Sequence, residues 1–304
     1  MTTPPAVDDL HMPESDNPWI TETAWYSFWT PGGEYIAHVY LRFRPNLGIV
    51  NPCIYVWGSG ASVEWDAAYW KHSHYPMPKS LVDLELRGGL THRVTEPFVS
   101  YEIAYRDEKK YGPPLSFDIQ VSALAEPDYF GGKHFDQRVR VTGVLDVDGH
   151  TFQIDCHAMR DRSWYSRGDY TLFRSAYSYA VVDGENNFLA MFAAPRDRDM
   201  LIDDLPLVGG YVGFGGTRRP ASVGERRVTR RDRATGHPAE VVLTVDGEAI
   251  VGQVLNTMAV AANPNMLSWM GLVEWDYRGR AVLGEDQEIW SPSIWHAFRR
   301  GETP

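Results

Sequence analysis

The sequence predicts an all-β chain of antiparallel strands, and three observations lead there. Apolar and polar residues alternate with period two over strand-length segments, the pattern of side chains that point to opposite faces of a sheet. Asp-Gly dipeptides punctuate these segments where tight hairpins need backbone at positive φ. Among the 304 residues, 11 Trp, 16 Tyr and 12 Phe stand beside 27 Gly and 20 Pro, residues that strands and turns use.

The elements follow in order. In Tyr35 to Arg44, Tyr35, Ala37, Val39, Leu41 and Phe43 share one face, and Ile36, His38, Tyr40, Arg42 and Arg44 share the other. In a closed barrel one such face lines the interior, and the polar one is equally open to being a solvated outer face. Leu115 to Ala123, Arg138 to Leu145, Thr151 to Met159 and Tyr177 to Val182 alternate in the same way, and Asp148-Gly149, Asp183-Gly184 and Asp246-Gly247 lie between apolar runs. The only modest helical candidates, Val63 to His72 and Pro78 to Leu86, are too short and too few for a doubly wound α/β sheet. Without a short-period repeat a propeller is disfavoured, which leaves two barrels or one long sandwich. A change of pattern near Met159 puts the expected halves at residues 1–158 and 159–304.

Charge and composition narrow the function classes. With 40 acidic and 29 basic side chains the net charge is -11, which argues against nucleic acid and anionic lipid as partners and suits a neutral or cationic ligand. No apolar stretch reaches the roughly 18–20 residues of a membrane-spanning helix, so no membrane insertion is expected. Cys53 and Cys156 are too few for a disulfide framework and have no metal-ligand spacing. With no basic-then-apolar start, the expected location is the cytoplasm. The expected partner is a small hydrophobic substrate, with a homodimer left open.

Two passages carry a family resemblance. Pro18-Trp19-Ile20-Thr21-Glu22-Thr23-Ala24-Trp25-Tyr26 is followed by Arg42-Phe43-Arg44-Pro45-Asn46, and Arg160-Asp161-Arg162-Ser163-Trp164-Tyr165-Ser166-Arg167 comes later. Together they resemble an uncharacterised bacterial family of two-domain lipocalin-like proteins related to the carotenoid 1,2-hydratase and AttH group, in which a segment close to Arg-Asp-His-Ser-Trp-Gly-x-Arg recurs. Arg162 stands here for the His of that segment and Tyr165 for its Gly, which weakens a His-based mechanism at that position. His134-Phe135-Asp136-Gln137, Gly143 and Asp148-Gly149 are similar to the run that leads into it. The resemblance implies two lipocalin-like, calycin-type antiparallel barrels packed together, and water addition, cyclisation or related chemistry on hydrophobic molecules.

The residues offer several chemical candidates. Along one strand His157, Met159 and Asp161 share parity, so His157 and Asp161 could face one cavity as proton carrier and orienting carboxylate. Glu22 sits among Trp19, Trp25, Tyr26 and Trp29, where desolvation would raise a carboxyl pKa and make it an acid. Asp161, His157 and Glu22 are therefore the catalytic candidates. Arg160, Arg167 and Trp164 are expected at the substrate, together with Trp25, Tyr40, His38 and His134. Each has a plainer reading: Arg160 to Arg167 as a buried ion-pair junction, His157 as a satisfied structural histidine, Glu22 as an acceptor for backbone donors.

Other motifs favour the plainer reading. His72-Ser73-His74, even with His92 and His134, lacks a third nearby ligand, so no metal is expected. Gly209 to Gly216 lacks the helix and Lys-Ser/Thr ending of a phosphate cradle and reads as a glycine-kinked strand or loop. The arginines at 218, 219, 226, 227, 230, 231 and 233 read as a solvated face. Trp269, Trp275, Tyr277, Trp290 and Trp295 read as core or interface packing, with a subset able to line a pocket. No cofactor fingerprint is present. The functional expectation is a cofactor-free lyase or isomerase, such as a hydratase, dehydratase, cyclase or decarboxylase, that acts on an isoprenoid, steroid or aromatic molecule; the alternative is a non-catalytic intracellular carrier.

Overall fold

The computed structural model describes residues 8–107, 114–167, 172–195, 200–263 and 265–301. Strand makes up 65% of it and helix 6%. The chain divides into two compact units, Met1–Val56 with Ala68–Gly168, and Trp57–Ala67 with Asp169–Pro304. The expected break at 158/159 falls inside one unbroken strand, His150–Ser166, all of which belongs to the first unit.

The first unit holds a curved half-barrel sheet. Its strands are β1 (Ile20–Trp29), β2 (Tyr35–Arg44), β3 (Ile49–Gly58), β4 (Tyr69–His72), β5 (Tyr75–Pro76), β6 (Asp83–Glu85), β7 (Leu90–Glu96), β8 (Ser100–Asp107), β9 (Leu115–Ala123), β10 (Asp128–Phe130), β11 (His134–Val147) and β12 (His150–Ser166). They run in the order β4-β3-β2-β1-β12-β11-β9-β8-β7-β6, with β5 on β3 and β10 on β11. Curvature brings the edge strand β4 back to β8, where the Tyr69 and Tyr105 hydroxyls meet at 2.5 Å and Tyr69 donates to Asp107 at 2.5 Å. Gly143 permits close approach within β11: its φ is +144°, and a Cβ there would lie 2.1 Å from the Asp118 carbonyl oxygen. Asp148-Gly149 forms the β11–β12 turn with both φ values positive, as the dipeptide predicts.

The second unit is a closed eight-stranded antiparallel barrel. Its strands are β13 (Arg174–Val181), β14 (Asn187–Ala193), β15 (Asp204–Phe214), β16 (Thr217–Pro220), β17 (Gly224–Arg231), β18 (Pro238–Val245), β19 (Glu248–Asn263), β20 (Met266–Tyr277) and β21 (Arg280–Trp290). The ring runs β14-β13-β21-β20-β19-β18-β17-β15 and closes from β15 to β14, with β16 attached to β15. Phe188, Leu205, Leu243, Val273 and Trp275 belong to its core. Of the two modest helical candidates, Val63 to His72 holds a single 3₁₀ turn, Glu64–Asp66, followed by β4, and Pro78 to Leu86 contains β6. The helix α1 (Pro292–Arg299) was not foreseen: at eight residues its periodic signal is short, and it is held by aromatic contacts of Trp295 with Trp269 at 4.1 Å and with Trp290 at 5.3 Å.

The arginine run is not uniformly solvated. Arg226 is buried and donates through Nε to Asp286 at 2.9 Å, and Arg231 donates to both oxygens of Glu288 at 2.7 Å. The carboxylates that hold them sit over 50 residues later on β21, beyond the reach of any local pattern. Gly209 to Gly216 is the end of β15 and the turn after it, in keeping with the kinked-strand reading.

Candidate functional site

Strand register sorts the chemical residues of the first unit onto two faces of the same strands. Directly paired residues share a face. On one face, Glu22 pairs with Trp164, Ala24 with Arg162 and Tyr26 with Arg160. On the other, Thr23 pairs with Ser163 and Trp25 with Asp161.

The first face holds a buried carboxylate with three donors. Arg162 donates to Glu22 Oε1, the His11 amide donates to Oε2 at 2.9 Å, and His11 Nδ1 lies 2.9 Å from Oε1. A carboxylate oxygen accepts here from Nδ1–H, and in the neutral imidazole that tautomer leaves Nε2 as the acceptor. His11 Nε2 is sealed from water and has no hydrogen-bond partner among the described residues. The imidazole is stacked on the Trp164 indole, centroids 4.0 Å apart and planes within 10°. His11, Glu22 and Trp164 line a cavity of about 210 Å³ with Lys133, Glu14, Ile20 and Tyr165.

His11 belongs to an irregular segment that the sheet holds by successive acids. Asp8 accepts from the Phe98 amide at 2.6 Å, from the Tyr101 hydroxyl at 2.9 Å and from Arg160 at 3.1 Å. Asp9 accepts from the Leu81 amide at 2.7 Å and from the Ser80 hydroxyl. Its carbonyl takes a further bond from Arg162 at 2.9 Å. Farther along, Asn46 donates to the Ser15 and Asn17 carbonyls. Arg160, fully buried, also donates to Gln137 at 2.7 Å and lies 4.2 Å from the Tyr101 ring centroid. Arg160 and Arg162 thus bind the segment that delivers the imidazole.

The second face gathers most of the remaining candidates. Tyr40, Trp25, Asp161 and Asp136 are successive partners across β2, β1, β12 and β11. His134 Nε2 lies 2.8 Å from Asp161 and 3.5 Å from Asp136. Burial works against charge on His134, yet Asp136 and Asp161 outweigh it and push its pKa up to about 11. His134 is therefore an imidazolium at neutral pH. The ligand atoms of His134, Asp136 and Asp161 lie within 4.8 Å of one another, a set able to hold a cation, but a proton held that firmly competes with one. His38 packs at 4.1 Å from Trp25, and Arg167 donates to the Tyr40 hydroxyl at 3.3 Å. Burial pushes the Tyr40 phenol up. His38, Tyr40 and Arg42 are all buried, so this side of β2 is not a solvated face.

The structure separates some residues that parity had grouped. His157 does share the face of Asp161, but it pairs with Arg140, four residues back along β12 and thus ~13 Å away. The imidazole that reaches Asp161 is His134, across the sheet. Glu22 lies on the opposite face from Asp161, with Trp164, Arg160 and Arg162. The histidines considered as metal ligands also part company: His72 bonds Tyr55, and His92 bonds Tyr26 at 2.7 Å and the Leu81 carbonyl at 2.8 Å. His11 was missed altogether. It stands in an acid- and proline-rich stretch with no periodicity, and only the Asp8-Asp9 pair before it hints that the stretch is anchored.

Comparison with known proteins places this geometry in context. A family profile described as "Domain of unknown function (DUF7064)" matches residues 4–280. No curated protein sequence matches the chain. Among solved structures, an AttH-like protein (NE1406) of Nitrosomonas europaea is similar at 14% identity and a TM-score of 0.62, over 92% of this chain and 96% of that one. Kievitone hydratase of Nectria haematococca is similar at 12% identity and a TM-score of 0.58, over 90% and 89%. CghA, solved with Sch210972, is similar at 10% identity and a TM-score of 0.52, over 90% and 88%. These likenesses show a shared lipocalin-like fold.

Proposed function

The chain belongs to the DUF7064 family of domains of unknown function, and on that premise we propose that it is a lyase- or isomerase-type enzyme that moves a proton on a small, mostly apolar molecule. One observation carries this reading: the His11–Glu22 pair at the cavity of the first unit, its Nε2 without a hydrogen-bond partner among the described residues. A buried unsatisfied acceptor costs free energy, and a substrate proton would satisfy it once the side chains that seal Nε2 part to admit the substrate. Glu22 fixes the tautomer and stabilises the imidazolium that forms, while Arg162 donates to the same carboxylate and holds it in place. Trp164 orients the ring from below. Chemistry of this kind requires no redox centre.

A cavity of about 210 Å³ lies a little under the ~300–1,000 Å³ of drug-sized ligand sites, and suits a small molecule or the reacting end of a larger one. Water addition or removal is the class we favour, since kievitone hydratase is by name a hydratase on the same fold; that part of the reading is analogy. On the second face, Asp161 and His134 are read as an electrostatic pair, since an imidazolium pushed up to about 11 exchanges its proton poorly near neutrality.

Native mass spectrometry of freshly purified protein would identify a co-purifying molecule. With a turnover substrate in hand, His11→Gln should lower kcat by ~10²–10⁴-fold with an unchanged melting temperature. Full turnover by folded His11→Gln would overturn the assignment. A molecule that binds and returns unchanged would make the chain a carrier.

A further inference from the structure

We propose that Lys133 is the group that stabilises negative charge in this cavity, and that the substrate is a β-hydroxy carbonyl compound or the α,β-unsaturated carbonyl compound formed from it by loss of water. This rests on the His11–Glu22 reading and extends it to a partner residue and a substrate class.

The cavity's charges decide the argument. Its lining includes His11, Glu22, Glu14 and Lys133, and among the described lining residues Lys133 is the only Lys or Arg. Glu22 is already matched, since Arg162 donates to it from a fully buried position. Lys133 is differently placed: its ammonium meets Glu14 at 2.6 Å, but the two side chains are 43% and 69% exposed. An exposed pair of that sort contributes little and is easily exchanged for another anion. Lys133 is also held close to the base. Its carbonyl accepts from the Trp164 amide at 2.9 Å, and the Trp164 indole is the surface on which His11 is stacked. Base, aromatic wall and cation are thus three linked neighbours.

Two routes to gain or loss of water make opposite electrostatic demands. Protonation of an isolated alkene builds positive charge on carbon, which Lys133 would oppose, and the Trp164 face that could offset it is covered by the His11 ring. Removal of a proton beside a carbonyl builds negative charge on oxygen, which an ammonium group stabilises. The cavity's composition favours the second.

The step balances without a co-reactant. His11 Nε2 takes a proton from the carbon next to the carbonyl, the C–H electron pair becomes the enolate C=C bond, and the carbonyl π pair moves onto the oxygen, held by Lys133. The oxygen pair then restores the carbonyl, the enolate C=C pair shifts to the α–β bond, and the C–O bond at the β carbon breaks with its electron pair going to the oxygen. The imidazolium returns its proton to the departing hydroxide, which leaves as water. Hydration is the same sequence reversed.

The test uses 4-hydroxy-4-phenylbutan-2-one, one ring and a short β-hydroxy ketone chain. Dehydration is followed by the absorbance of 4-phenylbut-3-en-2-one, and α-deuteration in D₂O by proton NMR. The intact chain should do both. Lys133→Met, at an exposed position that should leave the fold intact, is expected to lower the dehydration rate by ~10²–10³-fold, and Lys133→Arg should restore part of it. Lys133→Met within threefold of the parent, while His11→Gln is inactive, would overturn the role of Lys133 and leave the proton-transfer reading standing. Equal rates for folded His11→Gln would overturn that earlier reading itself. Neither dehydration nor α-deuteration by the intact chain would overturn the substrate class.

Discussion

At the scale of single residues, what the sequence discloses depends on whether a side chain sits in a regular strand. Glu22 and Trp164 were legible as a carboxylate and an aromatic because both occupy strands where parity has meaning, and register indeed sets them opposite each other. Arg162 was legible as a departure from the family segment, and its position explains the departure: a guanidinium there meets Glu22 and the Asp9 carbonyl together. Its energetics can be tested by deletion. Arg162 and Glu22 are 0% and 3% exposed, so Arg162→Met leaves a carboxylate in a dry site with only His11 against it. Removing one partner of a buried pair typically costs ~3–5 kcal/mol, whereas replacing both by apolar groups of similar volume is often far milder. Arg162→Met is expected to show a loss of that size by chemical denaturation, and the double variant Arg162→Met/Glu22→Leu should recover at least half of it. A double variant no more stable than the single one would mean that Arg162 acts through the Asp9 carbonyl and not through Glu22.

At the scale of elements, alternation located strands well and irregular pieces poorly. β2 and β9 have the bounds that periodicity gave them, because each keeps strict period-two patterning from end to end. β12 runs on past Met159, since Arg160, Arg162 and Ser163 are polar yet buried by partners from distant positions. The segment Asp8 to Asn17, which builds one wall of the cavity, had no pattern to read: its place is set by side-chain bonds to β8, β12 and the stretch before β6. This makes it separable from the sheet. Asp9→Ala removes the acceptor for the Leu81 amide and the Ser80 hydroxyl but keeps the carbonyl that Arg162 uses. Each lost bond to a charged group is worth ~1.5–3 kcal/mol, enough to shift a local opening by tenfold or more. Amide exchange in residues 10–17 should therefore quicken at least tenfold, while β1 and β12 keep their protection. Unchanged exchange there would show that the segment is held elsewhere, and uniform acceleration would show that it unfolds with the sheet.

For the whole molecule, the acidic composition suggested only solubility and partners, yet the titration of the chain turns on a few histidines that composition counts without placing. His92 in the first unit is buried, and desolvation outweighs its bond to the Leu81 carbonyl, so its pKa falls to about 4. His237 in the second unit falls to about 4 as well, again chiefly through burial. Unfolded, both would titrate near 6.5. Between pH 6.5 and 4 the unfolded chain therefore binds protons that the folded chain refuses, so stability must decline as pH falls through that window. The slope approaches ~1.4 kcal/mol per pH unit for each group. His134 does not offset this decline: its pKa is raised to about 11, so its contribution is complete below 6.5 and is lost progressively as pH rises from 6.5 to 11. Glu288 adds to the loss at the acid end. Burial works against its charge, but Arg231 and Arg226 hold it at about 2, so its share is present above ~4.5 and disappears as pH falls through 2. Melting temperatures measured from pH 8 to 4 in one buffer series should climb as pH falls to about 6.5, where the contribution of His134 becomes complete, and then drop progressively. His92→Gln, which can still accept from the Tyr26 hydroxyl, should flatten the part of that slope that belongs to the first unit. A melting temperature constant from pH 7 to 4.5 would mean that neither histidine is buried neutral in solution.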